Sequence, residues 1–220
     1  MNETLTPIDE QVRIPAPCPA PMGIAFDGTT LWLGSYEAQR LYGLDASRGS
    51  VTEEAATPGK PYGITVTGDE LRIVCGDEPD DNRSIRRYIV GHGFKNGAVP
   101  CPNDTGSFLA YDGESLFLSQ RYDKRILELD GTGAVRRTIP VPREITGMVV
   151  VDGYFFLVTT ESRESDDYRL LRLDLRADPY ESLELAAIPF RARGLAYDGQ
   201  RLWTNDRFKN TIVAFARPDA

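Results

Sequence analysis

Residues 23–33, GIAFDGTTLWL, are an apolar run, an Asp-Gly turn and a second apolar run, and they decide the fold because they recur. The stretch returns without gaps as GITVTGDELRI from Gly63, FLAYDGESLFL from Phe108, GMVVVDGYFFL from Gly147 and GLAYDGQRLWT from Gly194. Asp-Gly between alternating hydrophobic runs is a strong hairpin signal, since a two-residue turn needs positive φ at both central positions. A third run follows each hairpin: RLYGLDAS, SIRRYIV, RILELDG, RLLRLDL and TIVAFARP. The units start 40, 45, 39 and 47 residues apart, the spacing of four-stranded propeller blades. No segment sustains a 3.6-residue period, so stacked helices are excluded.

Fourth strands carry their own mark. Val99-Pro100-Cys101-Pro102, Ile139-Pro140-Val141-Pro142 and Ile188-Pro189-Phe190 precede the third, fourth and fifth units, and Ile14-Pro15-Ala16-Pro17 precedes the first. Proline suits the end of an outer edge strand, where no ladder donor is needed. The fifth unit has no outer strand after it, so residues 11–15 are expected to supply one and close the ring, which also protects sheet edges. The expected fold is all-β: a five-bladed β-propeller, one domain over residues 1–220, with blades at approximately 18–57, 58–100, 101–141, 142–189 and 190–217 plus 11–15. On this reading, removing residues 1–17 destabilises the last blade severely, whereas removing residues 1–7 is nearly neutral.

Along the first strands large residues (Ile24, Ile64, Leu109, Met148, Leu195) alternate with small ones such as Gly23 and Ala25 or Gly194 and Ala196. Strands crowded around a narrow axis need this division, with interblade packing on one side and little bulk on the other. Phe108 stands where the other four units have glycine. It either plugs the channel or forms an aromatic floor for a ligand.

Composition narrows the function. A formal charge of −8 argues against a nucleic-acid binder, whose affinity rests on neutralising phosphates, and against an anionic membrane surface. No apolar run approaches the roughly 20 residues of a spanning helix, and the first residues lack the basic-then-apolar pattern of a secretory signal. Cys18, Cys75 and Cys101 have no CxxC spacing, so neither a disulfide framework nor a zinc site is indicated. A cytoplasmic protein with reduced thiols is the simplest expectation. Cys75, at the end of a second strand, is a nucleophile only if its pKa is lowered; otherwise it is a small buried side chain.

The pattern G-[ILM]-x-x-D-G-x-x-L-W, as in GIAFDGTTLWL and GLAYDGQRLWT, resembles the NHL, YVTN and streptogramin-lyase-like repeats. Five blades closed by the N-terminal strand also resemble the plant and bacterial type of glutaminyl-peptide cyclotransferase. The resemblance covers nearly the whole chain and implies the fold, while propellers host lyases, cyclases, hydrolases and binding modules. Streptogramin lyases rely on a histidine base. The one histidine here, His92, falls in a turn after a third strand, on the face opposite the usual ligand site. The glutamate-centred motif of the cyclotransferases has no counterpart here, so neither family's catalytic residues carry over.

Propellers bind ligands where the loops after second strands and before first strands converge around the axis. Those loops hold Tyr36, Glu37, Gln120, Arg121, Tyr122, Asn205, Asp206 and Arg207, together with Tyr62, Arg193 and Phe108 near the first strands. Glu37, Asp206, Tyr36 and Tyr122 are the candidate acid–base groups, the base being a carboxylate or a tyrosinate. Arg121, Arg207, Arg193, Gln120, Tyr62, Phe108 and Asn205 are the candidate substrate-binding groups, since guanidinium offers a planar fork of donors to a carboxylate or phosphate. Rim charges of both signs can equally pair with one another across neighbouring blades. Two longer rim segments, 77–83 and 161–169, are strongly acidic. They serve as a lid, as solvated surface, or as a Ca2+ site, although neither has EF-hand spacing; no other cofactor is indicated. The expected function is a lyase, cyclase or hydrolase acting on a small polar, anionic molecule. The alternative is a non-catalytic module binding a protein, peptide or small ligand on the same face.

Overall fold

The computed structural model describes residues 5–77, 81–177 and 179–218. It is an all-β, five-bladed propeller. Strand β1 (Glu10–Pro15) precedes the first blade, β2 (Pro21–Phe26), β3 (Thr30–Ser35), β4 (Arg40–Asp45) and β5 (Val51–Ala56). The second blade holds β6 (Lys60–Thr67), β7 (Glu70–Asp77) and β8 (Asn82–Ile89), edged by the short strands β9 (Gly93–Phe94) and β10 (Val99–Pro100). The third is β11 (Leu109–Tyr111), β12 (Leu116–Gln120), β13 (Arg125–Leu129) and β14 (Val135–Pro140). The fourth is β15 (Glu144–Val151), β16 (Tyr154–Thr160), β17 (Tyr168–Asp174) and β18 (Ser182–Ile188). The fifth runs β19 (Ala192–Tyr197), β20 (Arg201–Asp206), β21 (Thr211–Ala216), and its outer strand is β1, antiparallel to β21 with Ile14 opposite Ile212.

The chain ahead of β1 reaches one blade further. Ile8 N–H donates to the Ala187 carbonyl at 2.9 Å, and Ala187 N–H donates to the Thr6 carbonyl at 2.9 Å, a parallel bridge onto β18. Ile8 is buried in the apolar cluster between the fourth and fifth blades. The N-terminal segment therefore reaches onto two blades, and within the stretch expected to be dispensable Thr6 accepts a hydrogen bond from β18.

The hairpin turns use aspartate differently from the two-residue turn expected of all of them. Positive φ at both Asp and Gly occurs at Asp152-Gly153, where Val151 pairs directly with Tyr154. At Asp27, Asp112 and Asp198 only the following glycine is left-handed, because those loops are two residues longer. There the aspartate accepts backbone N–H groups instead: Asp27 Oδ1 from Thr29 and Thr30, Asp198 Oδ1 from Gln200 and Arg201. The second oxygen accepts the indole N–H of the tryptophan five residues on, 2.7 Å for Asp27–Trp32 and 2.8 Å for Asp198–Trp203. Aspartate and tryptophan of the repeat are thus one hydrogen-bonded unit.

Apolar side chains pack between adjacent blades in clusters that follow the ring, with edge-on aromatic pairs Trp32–Tyr88 and Phe117–Phe155. Around the axis the first strands approach backbone to backbone. A Cβ on Gly23 would lie 2.2 Å from the Tyr62 carbonyl, and one on Gly147 would lie 2.5 Å from the Gly194 carbonyl carbon. Glycine is required at these contacts by space alone. Among the described residues, no helix is long and apolar enough to cross a membrane.

Candidate functional site

All five blades contribute to a funnel of about 790 Å3 at the end of the axis where the loops after second strands meet the loops before first strands. Among the described residues its walls hold six arginines, Arg83, Arg121, Arg163, Arg191, Arg193 and Arg207, against two carboxylates, Glu37 and Asp81. A chain of net charge −8 has therefore gathered positive charge at one place.

Some of that charge is neutralised locally. Arg83 donates to Asp81 and to the Gly106 carbonyl, and its guanidinium lies 3.8 Å from the centre of the Tyr62 ring. Arg191 pairs with Asp166 at 2.6 Å. Arg121 Nε donates to Glu144 at 2.8 Å, while its Nη2 is buried without a partner. Arg193 and Arg207 have no carboxylate partner among the described residues. Arg193 is buried and donates to the Tyr168 hydroxyl and the Ala192 carbonyl, both at 2.8 Å. Arg207 lies over the Tyr36 ring at 5.2 Å and touches the Met22 sulfur. Burial lowers the Arg193 pKa; the Tyr168 contact opposes that, and the like charges of Arg121 and Arg207 add to it. A guanidinium still remains charged at neutral pH.

Glu37 stands exposed on the wall with no hydrogen-bond or ion-pair partner among the described residues. Tyr62 donates to Asp81 at 2.9 Å. Burial raises the Tyr62 pKa, against the pull of Arg83 and with the help of Asp81, so this phenol is a proton donor near neutral pH and not a base. Tyr36 packs edge-on to Tyr62 at 5.5 Å. Phe108 lines the funnel at the position where other blades present glycine, and it is at the same time buried in the apolar core.

Of the residues expected in the site, Tyr36, Glu37, Tyr62, Phe108, Arg121, Tyr122, Arg193 and Arg207 line the funnel. Gln120, Asn205 and Asp206 are not brought to it; each is buried and engaged elsewhere. Gln120 Nε2 donates to the carbonyls of Pro102 and Thr105, and its oxygen accepts from Arg125. Asn205 Nδ2 donates to the Met22 carbonyl, joining the last blade to the first. Asp206 accepts from Arg13 of β1. Cys75 is also buried, which pushes its thiol up to about 12, so it is no nucleophile at neutral pH. His92 sits exposed in the turn after β8.

The acidic segment 161–169 turns three of its four carboxylates to arginines: Glu161 and Asp167 to Arg143, Asp167 to Arg169, Asp166 to Arg191. In the other segment Asp77 pairs with Arg86 and Asp81 with Arg83, while Glu78, Pro79 and Asp80 lie outside the described residues. No group of three or more metal-ligating side chains occurs among the described residues. Sequence reading did not select Arg83 or Arg163 for the site. The available signal for Arg83 was an arginine at or near the start of third strands, shared with Arg40, Arg125 and Arg169; Arg163 is hidden within a run read for its acids.

No protein-family profile and no curated protein matches this sequence. Solved structures do. Glutaminyl cyclase from Myxococcus xanthus superposes with a TM-score of 0.73 at 13% identity over 99% of both chains. A catalytically inactive virginiamycin B lyase from Staphylococcus aureus, with quinupristin, has a TM-score of 0.55 at 16% identity over 89% of this chain and 69% of that one. The PQQ-bound aldose sugar dehydrogenase from Streptomyces coelicolor has a TM-score of 0.61 at 14% identity over 97% of both chains. The resemblance to cyclase and lyase propellers is thus present at the level of fold. Three differently named activities on one architecture leave the chemistry to be argued from this chain's own residues.

Proposed function

We propose that this propeller is an enzyme of the lyase, cyclase or hydrolase type acting on a small anionic molecule held in the funnel. The observation that carries the reading is the arginine excess at the floor: Arg193 and Arg207 without carboxylate partners among the described residues, beside a buried unpartnered nitrogen of Arg121. A buried guanidinium nitrogen without an acceptor, and a buried charge without a counter-charge, are costly, and an anion that accepts from Arg121 and Arg193 beside the half-buried Arg207 offsets that cost. Arginine there also stabilises negative charge developing on a substrate. Glu37 is the unencumbered carboxylate for proton abstraction, and Tyr62, kept protonated, is the complementary donor.

Calorimetric titration with inorganic phosphate tests the anion half. Wild type should bind, and Arg193→Gln should bind at least about tenfold more weakly, the loss expected for one charge-assisted contact. Absence of binding by wild type defeats the reading. For the catalytic half, anions from a cell extract are followed by mass spectrometry, and consumption by wild type but not by Glu37→Gln is the expected result.

The second reading, a non-catalytic module on the same face, draws support from Tyr122 and Phe208. Both are exposed on the funnel, and aromatic residues serve well as interface anchors. A stoichiometric protein partner in co-purification, with no anion consumed, favours it.

A further inference from the structure

The loops after β3, β12 and β20 are the same four-residue turn: Tyr36–Gln39, Arg121–Lys124 and Arg207–Asn210 each end on a left-handed residue, with φ of 49°, 50° and 51°. In the third and fifth blades this turn opens with arginine followed by an aromatic residue, Arg121-Tyr122 and Arg207-Phe208. Equal turns place the two dipeptides alike on their blades. The arginines turn inward, Arg121 to Glu144 with its guanidinium 5.2 Å from the centre of the Tyr122 ring, and Arg207 to Tyr36 and Met22. The aromatics stay high, Tyr122 at 61% and Phe208 at 81% exposure, and all four residues line the funnel. Among the described residues, Tyr122 and Phe208 are the large aromatic side chains exposed to solvent. Exposed rings cost apolar hydration unless something covers them, and placing both on one funnel points to a common occupant.

Charge sets the other end of that occupant. Arg121 is paired with Glu144, whereas Arg207 and Arg193, the latter near both other arginines, have no carboxylate partner among the described residues, so two positive charges of this trio are left uncompensated there. We propose that the funnel takes an amphiphilic dianion, its doubly charged group seated on Arg121, Arg193 and Arg207 and a flat apolar portion held at the mouth by Tyr122 and Phe208. The inference deepens the anionic-substrate reading and rests on it. Its chemical class is that of aryl phosphates and aryl dicarboxylates.

Phenyl phosphate, phenyl sulfate and inorganic phosphate are titrated calorimetrically, near pH 7.5, into wild type and into the double variant Tyr122→Ala/Phe208→Ala, whose exposed positions leave the fold intact. Wild type should prefer phenyl phosphate about tenfold over inorganic phosphate, the scale of one or two aromatic contacts. It should also prefer phenyl phosphate over the monoanionic phenyl sulfate, and the double variant should bind phenyl and inorganic phosphate within about twofold of each other. Equal binding of the two phosphates by wild type, or a preference surviving in the double variant, overturns the aromatic clamp and leaves the anionic reading standing. Equal binding of sulfate and phosphate esters overturns the double charge. No binding of any anion defeats this inference and the anionic reading together.

Discussion

Arg13 Nη1 donates to Asp206 Oδ2 at 3.0 Å, an ion pair between the strand that closes the ring and the second strand of the blade it closes. Arg13 also donates to Thr211 and to Glu10, and Asp206 Oδ1 accepts the Lys209 N–H that shapes the turn above it. Asp206 is thus committed to closure. Asp206→Asn keeps the shape and removes the charge facing Arg13, so the variant should lose roughly 1–3 kcal/mol of stability, the scale of a damaged buried charged hydrogen bond. Phosphate binding by the folded variant should be unchanged. Urea denaturation alongside calorimetry separates the two effects; lost binding at full stability would return Asp206 to the funnel chemistry.

The strap ahead of β1 makes a second prediction. Deleting residues 1–8 removes the Thr6 and Ile8 bridge to Ala187 and uncovers the interblade surface on which Ile8 packs. Burying an isoleucine side chain is worth about 1.5–3 kcal/mol, so the denaturation midpoint should fall accordingly while β1 still closes the last blade. A midpoint equal to that of the intact chain would show that the bridge contributes nothing.

The ring was legible because its signals are local. Asp-Gly turns between apolar runs and proline at outer-strand ends each state a strand boundary within a few residues, and five repetitions remove the ambiguity of any one. Strand order placed the loops of the candidate site at one end of the axis. It did not give their depth. Gln120, Asn205 and Asp206 are the last or next-to-last residues of their second strands and lie buried, whereas Arg121 and Arg207, the first residues beyond, turn into the funnel. That parity depends on how each blade tilts against its neighbour, which a single repeat does not encode. The pairing of rim charges was likewise half legible: Arg121–Glu144 and Arg191–Asp166 neutralise each other, and only the three-dimensional arrangement leaves Arg193 and Arg207 unmatched among the described residues.

Acid sensitivity should trace to the Asp–Trp units. Burial disfavours ionisation of Asp198, but the N–H groups of Arg201, Trp203 and Gln200 and the Arg201 charge outweigh it and hold its carboxyl below the usual range; Asp27 behaves alike with Thr30, Trp32 and Thr29. A pKa lower in the folded than in the unfolded chain means stability that is fully present above the unfolded value of about 3.9. It is lost as pH falls through the folded value. Wild type should therefore exceed Asp198→Asn in urea midpoint at pH 7, and the gap should shrink at pH 3. A gap independent of pH would assign the motif's contribution to shape and not to charge.

Arg193 offers the sharpest separation of function from stability. Its guanidinium is buried, and the charges of Arg121 and Arg207 repel it. What holds it is a phenol and a carbonyl, not a carboxylate. Replacing a buried, repelled charge by a shorter neutral side chain removes the repulsion and the desolvated charge while giving up the two hydrogen bonds of Nη1, and these effects nearly offset. Arg193→Gln should accordingly match wild type in stability to within about 1 kcal/mol or exceed it, while phosphate binding weakens. Phosphate should also raise the wild-type melting temperature, because a ligand that binds only the folded state stabilises it by mass action, and should leave the variant's nearly unmoved. Added salt should narrow that difference through screening. A variant that is markedly less stable yet binds phosphate like wild type would make Arg193 a structural pin against Tyr168 and remove the main support for an anion in the funnel.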